Sequence, residues 1–248
     1  MSTDRDRFLQ DRTEYFQKAD ATRFVWMTQN PYFSRKEKEL LRLLNQLRPA
    51  RLLEIGCGEG GNLVNLENRP PLMVGIDVFE TRCRFAREHC PGAILLCGDG
   101  SRLPVRSGAF DVVFCRDVLH HLPDQKGFIA EMARACRPSG HVVCIEACGR
   151  NPAILPLAVA IRAERGLLRS NPESLKSLLE TAGLLDVRAE MHQPLPFYRI
   201  ALHPRYGVPA LGKRKCYAAW ADWWERLFAK VVPQRWWAYC AVSGRKAS

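Results

Sequence analysis

"LLEIGCGEGG", residues 52–61, runs an apolar strand through an acidic residue, Glu54, into four glycines. Gly56, Gly58 and Gly61 stand at G-x-G-x-x-G spacing, whereas Gly56, Gly58 and Gly60 stand at G-x-G-x-G spacing. Both let the chain turn sharply and approach a ligand closely, because glycine reaches backbone conformations closed to other residues. A helix that follows such a loop offers its first N–H groups to the ligand. The first spacing serves nicotinamide dinucleotides and the second S-adenosylmethionine. The loop by itself does not choose.

Outward from the loop, apolar runs and helical patterns alternate. After "RLLEIG" (51–56) come a helix from about residue 60, the strand "LMVGID" (72–77), the helix "TRCRFAREH" (81–89) and the strand "AILLCGD" (93–99). "FDVVFCRD" (110–117), a helix over 125–136 and "HVVCIEA" (141–147) continue the series. "SLKSLLETAGL" (174–184) and "LDVRAEM" (185–191) add one more helix and strand. Near-continuous Val/Ile/Leu strands separated by helices predict a parallel sheet covered on both faces. Upstream, "SRKEKELLRLLNQL" (34–47) puts Leu40, Leu43, Leu44 and Leu47 on one helical face, with Ser34 as N-cap and Glu37 three residues on. "NPYF" (30–33) reads as a turn between two N-terminal helices. Residues 192–212 carry four prolines and little periodicity. "KRKCYAAWADWWERLFAKVV" (213–232) is then a helix with Tyr217, Trp220, Trp224, Leu227, Phe228 and Val231 on one face, and "RWWAYCAVSGRK" (235–246) a last strand.

What stands at the later strand tips separates the two cofactors. Asp77 ends the second strand, where either would need a carboxylate for its ribose hydroxyls. Asp99 ends the third in "LLCGDGSRLPV", where a carboxylate accepts from an adenine amino group, a role with no place in the nicotinamide fingerprint. The ordered set of Glu54, Gly56-x-Gly58-x-Gly60, Asp77, Asp99 and "DVLHHL" resembles the class I S-adenosylmethionine-dependent methyltransferases over roughly residues 50–150. The resemblance implies an α/β, doubly wound, Rossmann-like sheet of seven strands, mostly parallel, whose last strand inserts antiparallel. It implies that Glu54 and the backbone at Gly56, Cys57 and Gly58 hold the methionine end of the cofactor. It further implies that Asp77 binds the ribose, Val78 flanks the adenine, Asp99 with Gly100 recognises its amino group, and Arg116 lines the pocket. In "RPSGHVV" (137–143) Ser139 stands where that family usually has glycine.

Whole-chain properties restrict the rest. With 248 residues, 47% hydrophobic and 25% charged, the chain suits one large α/β domain with appendages. No run of about 18 apolar residues marks a spanning helix, and the opening "MSTDRDRFLQDRTEYF" lacks the apolar region of a secretory signal. Ten cysteines form no C-x-x-C pair. They read as reduced core thiols in a cytoplasmic protein, with no metal site expected. Asp186 to Ser248 hold 11 of the 37 Lys and Arg residues but only 4 of the 26 Asp and Glu, which accounts for +7 of the net +11. Such a basic end suits nucleic acid, an anionic membrane surface or no particular partner.

Methyl transfer from a sulfonium needs alignment and water exclusion more than a fixed catalytic triad. Where the acceptor carries a proton, His121, His120 and Glu146 are the candidate bases at the carboxyl edge of the sheet, His121 first because histidine titrates near neutrality. Three segments are expected to cover that edge: the N-terminal helices with Tyr15, Phe16, Phe24 and Trp26, residues 148–170, and the excursion 192–234. The expected organisation is an N-terminal helical lid (1–48), a cofactor-binding core (49–191), an aromatic and basic cap (192–234) and a last core strand (235–248). Apolar covers with a basic rim suit a lipid, isoprenoid, quinone-like or natural-product acceptor. The Trp-rich helix either packs on the fold or meets an anionic membrane through 213–232. An RNA methyltransferase, a non-catalytic protein that binds the same cofactor and, last, a nicotinamide dehydrogenase are the competing readings. Nucleic acid is not an expected partner, because no RNA-binding module or broad basic stripe accompanies the charge.

Overall fold

The computed structural model describes residues 17–205 and 207–248, so Tyr15 and Phe16 lie outside the described residues. Seven strands form one sheet: β1 (Arg51–Ile55), β2 (Leu72–Asp77), β3 (Ala93–Cys97), β4 (Phe110–Arg116), β5 (Cys136–Ala147), β6 (Leu185–His192) and β7 (Tyr239–Arg245). Their order is β3-β2-β1-β4-β5-β7-β6. β7 runs antiparallel between β5 and β6, and the other pairings are parallel. This is the doubly wound, seven-stranded arrangement expected from the sequence.

Alternating side chains of the central strands feed two apolar layers. Leu52, Phe114, Val143 and Ile145 face one way, against Leu40, Leu44 and Leu63. Leu53, Ile55, Val113, Cys115 and Cys144 face the other, against Phe128, Ile129 and Met132 of α6 (Gln125–Ala135) and Leu175 and Leu179 of α8 (Pro172–Thr181). Each fully buried aliphatic contributes about 2 kcal/mol, so this doubly covered centre fixes the strand register. Eight of the ten cysteines are buried as free thiols; Cys97, expected inside, is exposed.

The helices before β1 start and stop elsewhere than the sequence pattern indicates. α1 (Ala21–Gln29) meets α2 (Pro31–Leu40) at Asn30, and α3 (Arg42–Leu47) follows a break at Leu41. Asn30 caps α2 by accepting from the Phe33 N–H at 3.1 Å, with Pro31 ready-made for the first turn. Ser34, the expected cap, instead donates its hydroxyl to Asn65 at 2.8 Å. On the same side of the sheet, α4 (Gly61–Asn65) and α5 (Glu80–His89) follow β1 and β2. β5 starts at Cys136 and not at His141; its pairing with β4 jumps from Phe110–Cys136 to Val112–His141. Ser139, in between, adopts φ 58°, the left-handed conformation that glycine takes without strain.

After β5, α7 (Leu155–Ala160) and a 3-10 turn (162–169) lead to α8, and after β6 come α9 (Phe197–Ala201) and α10 (Lys215–Val231). The excursion from 193 to 238 joins two antiparallel neighbours, since His192 pairs with Tyr239. α1, α2, α9 and α10 share a satellite core of Tyr32, Phe33, Tyr198, Leu202 and Tyr217 with Trp26 and Met27. The N-terminal helices and the late excursion therefore make one cover, not two. No described helix is long and apolar enough to cross a membrane.

Candidate active site

Gly56, Gly58 and Gly60 take φ of 75°, 53° and 81°, whereas Gly61 is the first residue of α4 with no left-handed backbone. The strained positions thus follow G-x-G-x-G spacing. The loop is laced to β2: the Gly56 and Cys57 N–H groups both donate to Ile76 O, at 2.7 and 3.1 Å. Asp77 accepts from Gly58 N–H and Phe79 N–H, both at 2.9 Å. Burial raises the Asp77 pKa, although these N–H donors and Arg82 pull against it. A Cβ on Gly56 would lie 2.3 Å from Val118 in the turn after β4, so that turn seats directly on the loop. Val78 is exposed at the rim. Asp99, also exposed, accepts from the Ser101 N–H at 2.8 Å. Gly100 is held small by Phe128, 2.4 Å from where its Cβ would stand.

Glu54 is fully buried beneath the loop. Asn62 donates to its Oε1 at 2.6 Å, and its Oε2 has no protein partner. Burial pushes its pKa up to about 8, while Asn62 and the nearby Arg116 pull it down. The Arg116 guanidinium reaches Asn62 Oδ1 (2.9 Å), Glu37 Oε2 (2.7 Å) and Asp117 Oδ2 (3.5 Å). Glu37, wholly buried on α2, also takes Arg199 of α9 at 2.7 Å. One carboxylate therefore bridges the tip of β4 and both halves of the cover. Its two arginines flank the Tyr239 ring, at 5.4 and 4.7 Å from its centroid.

The histidines at the same edge divide. His120 is buried with Nδ1 2.5 Å from Glu146 Oε2 and Nε2 3.2 Å from Glu164 Oε2. Burial lowers its pKa, but the two carboxylates overcome this and lift it to about 10. The other Glu146 oxygen accepts the Val118 and Leu119 N–H groups, both at 2.8 Å. His120 and Glu146 thus act together to staple the 119–121 turn to β5 and to residues 162–169. That packing is tight: a Cβ on Gly166 would sit 1.7 Å from His120 O. His121 is half-buried, with Nδ1 3.0 Å from Ala163 O. His120, His121 and Glu164 bring ligand-type atoms within 4.8 Å of one another. Both ring nitrogens of His120 face carboxylates, which favour the imidazolium form.

Several residues at this site, Asn62 and Glu164 among them, were not singled out in the sequence. Glu37 looked like the third residue of a helix cap, and Arg199 and Tyr239 lay in stretches without a motif. Asp117 carried a signal, since it directly follows β4 at the carboxyl edge. It takes φ 53°, its Oδ1 is buried without a partner, and its Oδ2 accepts from Tyr239 OH at 3.3 Å. Non-glycine residues held in this region cluster at functional sites. A cavity of about 640 Å³ lies at the opposite, amino edge, lined by Arg51, Asp111 and His141. A second, of about 440 Å³, lies between α2, α10 and the end of β6. Neither touches Glu54 or Asp77.

Residues 53–144 match the model of a methyltransferase domain family. These residues form a methyltransferase domain of the class I, S-adenosylmethionine-dependent kind. A relative from Mycolicibacterium smegmatis, named as a probable methyltransferase using that cofactor, is 28% identical over 84% of this methyltransferase and 80% of its own length. Phosphoethanolamine N-methyltransferase of wheat is 28% identical over 62% of this chain, which spans only 31% of the wheat enzyme. A methyltransferase from Thermotoga maritima shares the fold at a TM-score of 0.68 and 15% identity, covering 96% of this methyltransferase and 99% of its own chain. The residues around the glycine loop suit S-adenosylmethionine: a partnerless buried carboxylate oxygen lies under three left-handed glycines, with a second acid at the next strand tip.

Proposed function

We propose that this methyltransferase transfers the methyl group of S-adenosylmethionine to a small apolar or amphipathic acceptor: a lipid, isoprenoid, quinone-like molecule or natural-product intermediate. The observation that carries the reading is the orphaned Glu54 Oε2. A buried carboxyl oxygen without a hydrogen-bond partner costs free energy, and the cofactor's α-ammonium group is the donor that repairs it. The Gly56, Cys57 and Gly58 backbone then lines the methionine end and Asp77 meets the ribose. Val78 flanks the adenine, whose amino group faces Asp99 beside Gly100. Arg116 holds Asn62 and, through it, Glu54 in place.

The sulfonium, when bound, supplies a methyl carbon already activated for in-line displacement. What the chain adds is position and dryness. The cover clamped by Glu37 excludes water above the β4 tip, and its aromatic interior supports an apolar acceptor. His121 is the group to take a proton from the acceptor, with its Nδ1 held 3.0 Å from Ala163 O. Asp117 and Tyr239, hydrogen-bonded to each other at 3.3 Å, are the acceptor-positioning groups. His120 and Glu146 hold the turn that presents His121. The small-molecule acceptor of the wheat relative supports this class over RNA.

Two measurements test the reading. Titration calorimetry should find S-adenosylmethionine bound by the wild type and weakened in Glu54→Gln. Incubation of the protein with methyl-labelled cofactor and a lysate should then move label into the organic extract. No cofactor binding defeats the whole reading; label recovered only in RNA defeats the acceptor class.

A further inference from the structure

The Trp-rich helix α10 is apolar on two sides, and only one is covered. Inward, Tyr217 is buried and Trp224 stacks on Phe228 at 5.5 Å. Outward, Trp220, Trp223, Leu227 and Val231 are 53%, 52%, 38% and 71% exposed. Spaced by three and four residues, these four lie along a single stripe of the helix. Val208 and Trp236, on the segments that precede and follow α10 in the chain, are exposed as well. Large half-exposed tryptophans in a contiguous stripe are rare on a surface that only meets water.

The charges around the stripe have one sign. Lys213, Arg214, Lys215, Arg226, Lys230 and Arg235 are all exposed. The two acids of the helix are turned inward and neutralised: Asp222 pairs with Arg35 at 2.7 Å and accepts from Tyr32 OH at 3.0 Å, and Glu225 pairs with Lys36 at 2.6 Å. An outward apolar stripe bearing tryptophan and bordered by cations matches the zone between lipid head groups and acyl chains. Nucleic acid would match the cations but leave the stripe in water.

We propose that the outer face of α10 docks this protein on an anionic lipid bilayer. α10 reaches the site through few steps: Phe228 packs on Phe197 of α9 at 5.4 Å, and Arg199 of α9 holds Glu37. Docking therefore lays the cover of the active site along the membrane, from which an amphipathic acceptor enters without crossing water. That last consequence rests on the proposed acceptor class; the docking itself does not.

The test is co-sedimentation of the full chain with phosphatidylcholine vesicles, alone or mixed with phosphatidylglycerol, in the absence of cofactor. Wild type should partition onto the anionic vesicles at least ~10-fold better than onto neutral ones, and about 0.5 M salt should weaken this. Trp220→Ser/Trp223→Ser should abolish the partition, and Lys213→Glu/Arg214→Glu/Lys215→Glu should reduce it to the neutral level. Both variants alter exposed side chains only, and unchanged thermal unfolding shows that they fold. Equal partition onto both vesicle types, or none, overturns the proposal. So does a wild-type dimer in sedimentation velocity that the tryptophan variant dissociates without any vesicle binding. Binding of homopolymeric RNA lost in the charge variant but kept in the tryptophan variant, with vesicles unbound, overturns it in favour of nucleic acid. Any of these failures leaves cofactor binding and methyl transfer untouched.

Discussion

A carboxyl group sealed under the glycine loop titrates where its surroundings put it, and burial sets Glu54 near pH 8. Below that pH the free protein holds a proton there, which a bound ammonium must displace. Cofactor affinity should therefore rise with pH towards about 8 and fall again where the α-ammonium loses its own proton, with proton release on the rising side visible as buffer-dependent heat. Glu54→Gln should bind about 10–100-fold more weakly and lose the rising side of this pH dependence; a wild-type affinity flat from pH 6 to 9 would refute the placement of the ammonium. The two histidines should part in the same way as their surroundings. His120→Ala leaves Glu146 facing Glu164 without a cation and should cost about 3 kcal/mol of stability, read as a lower unfolding temperature. The sign follows from its raised pKa: the imidazolium's contribution is full below about pH 6.5 and fades as pH rises towards 10. His121→Ala should leave unfolding nearly unchanged yet lower kcat by about 10²-fold or more, measured on whichever acceptor takes the label. Loss of stability without loss of turnover in His121→Ala would move the base elsewhere, with Asp117 next in position.

Between elements, Glu37 joins three that are far apart in the chain. Its partner Arg199 is 162 residues away, and Arg116 sits at a strand tip between them. Glu37→Ala strands two largely buried guanidinium groups and should cost about 3–5 kcal/mol. Amide exchange should accelerate over α9 and the 209–213 turn before it does in the sheet, and Glu37→Gln should show a smaller effect of the same pattern. Uniform exchange in both variants would mean that the cover is held by its aromatic packing alone. Such a clamp could not be read from sequence, because its members lie on elements whose spatial order only the closed sheet defines. Local patterns were legible. The glycine spacing and the strand-ending acids rest on neighbours within a few residues, whereas the antiparallel last strand followed only from the family resemblance. Ser34 and Ser139 mark where local rules fell short: Asn30 with Pro31 made a better cap one turn earlier, and β5 forced a serine into a left-handed bend. In α10 the apolar period was visible, but the helix is apolar around more than half its circumference. Periodicity gives no sign of which part another element will cover, so Trp220, Leu227 and Val231 were grouped with inward residues that they do not accompany.

For the molecule as a whole, the topology makes the cover separable from the sheet. β6 and β7 are antiparallel neighbours paired from His192–Tyr239 to Leu185–Arg245, so the chain from 193 to 238 leaves the sheet and returns to the point of departure. The central layers are built without it: β1, β4 and β5 with α6 and α8 close the sheet from residues before 193. Replacing 194–237 by a tight turn should therefore preserve the strand order and the glycine loop. Arg116 would keep Glu37 as a partner, and Glu54 its Asn62 contact. The cost falls on the satellite core, where Tyr32, Phe33 and Trp26 lose Tyr198, Leu202 and Tyr217. Exposing about three aromatic side chains removes several kcal/mol, so the shortened protein should melt earlier and need detergent to stay monomeric. Its affinity for S-adenosylmethionine should remain within about 10-fold of wild type, because a change of one pair of hydrogen bonds at Arg116 is worth about 1–1.5 kcal/mol. Turnover of an apolar acceptor should vanish, since the walls that would hold it and keep water out are gone. Calorimetry beside a label-transfer assay reads both quantities on one preparation. Retained turnover would show that the acceptor is held by residues 148–170 instead, which pack onto the His120 turn where Gly166 meets His120 O.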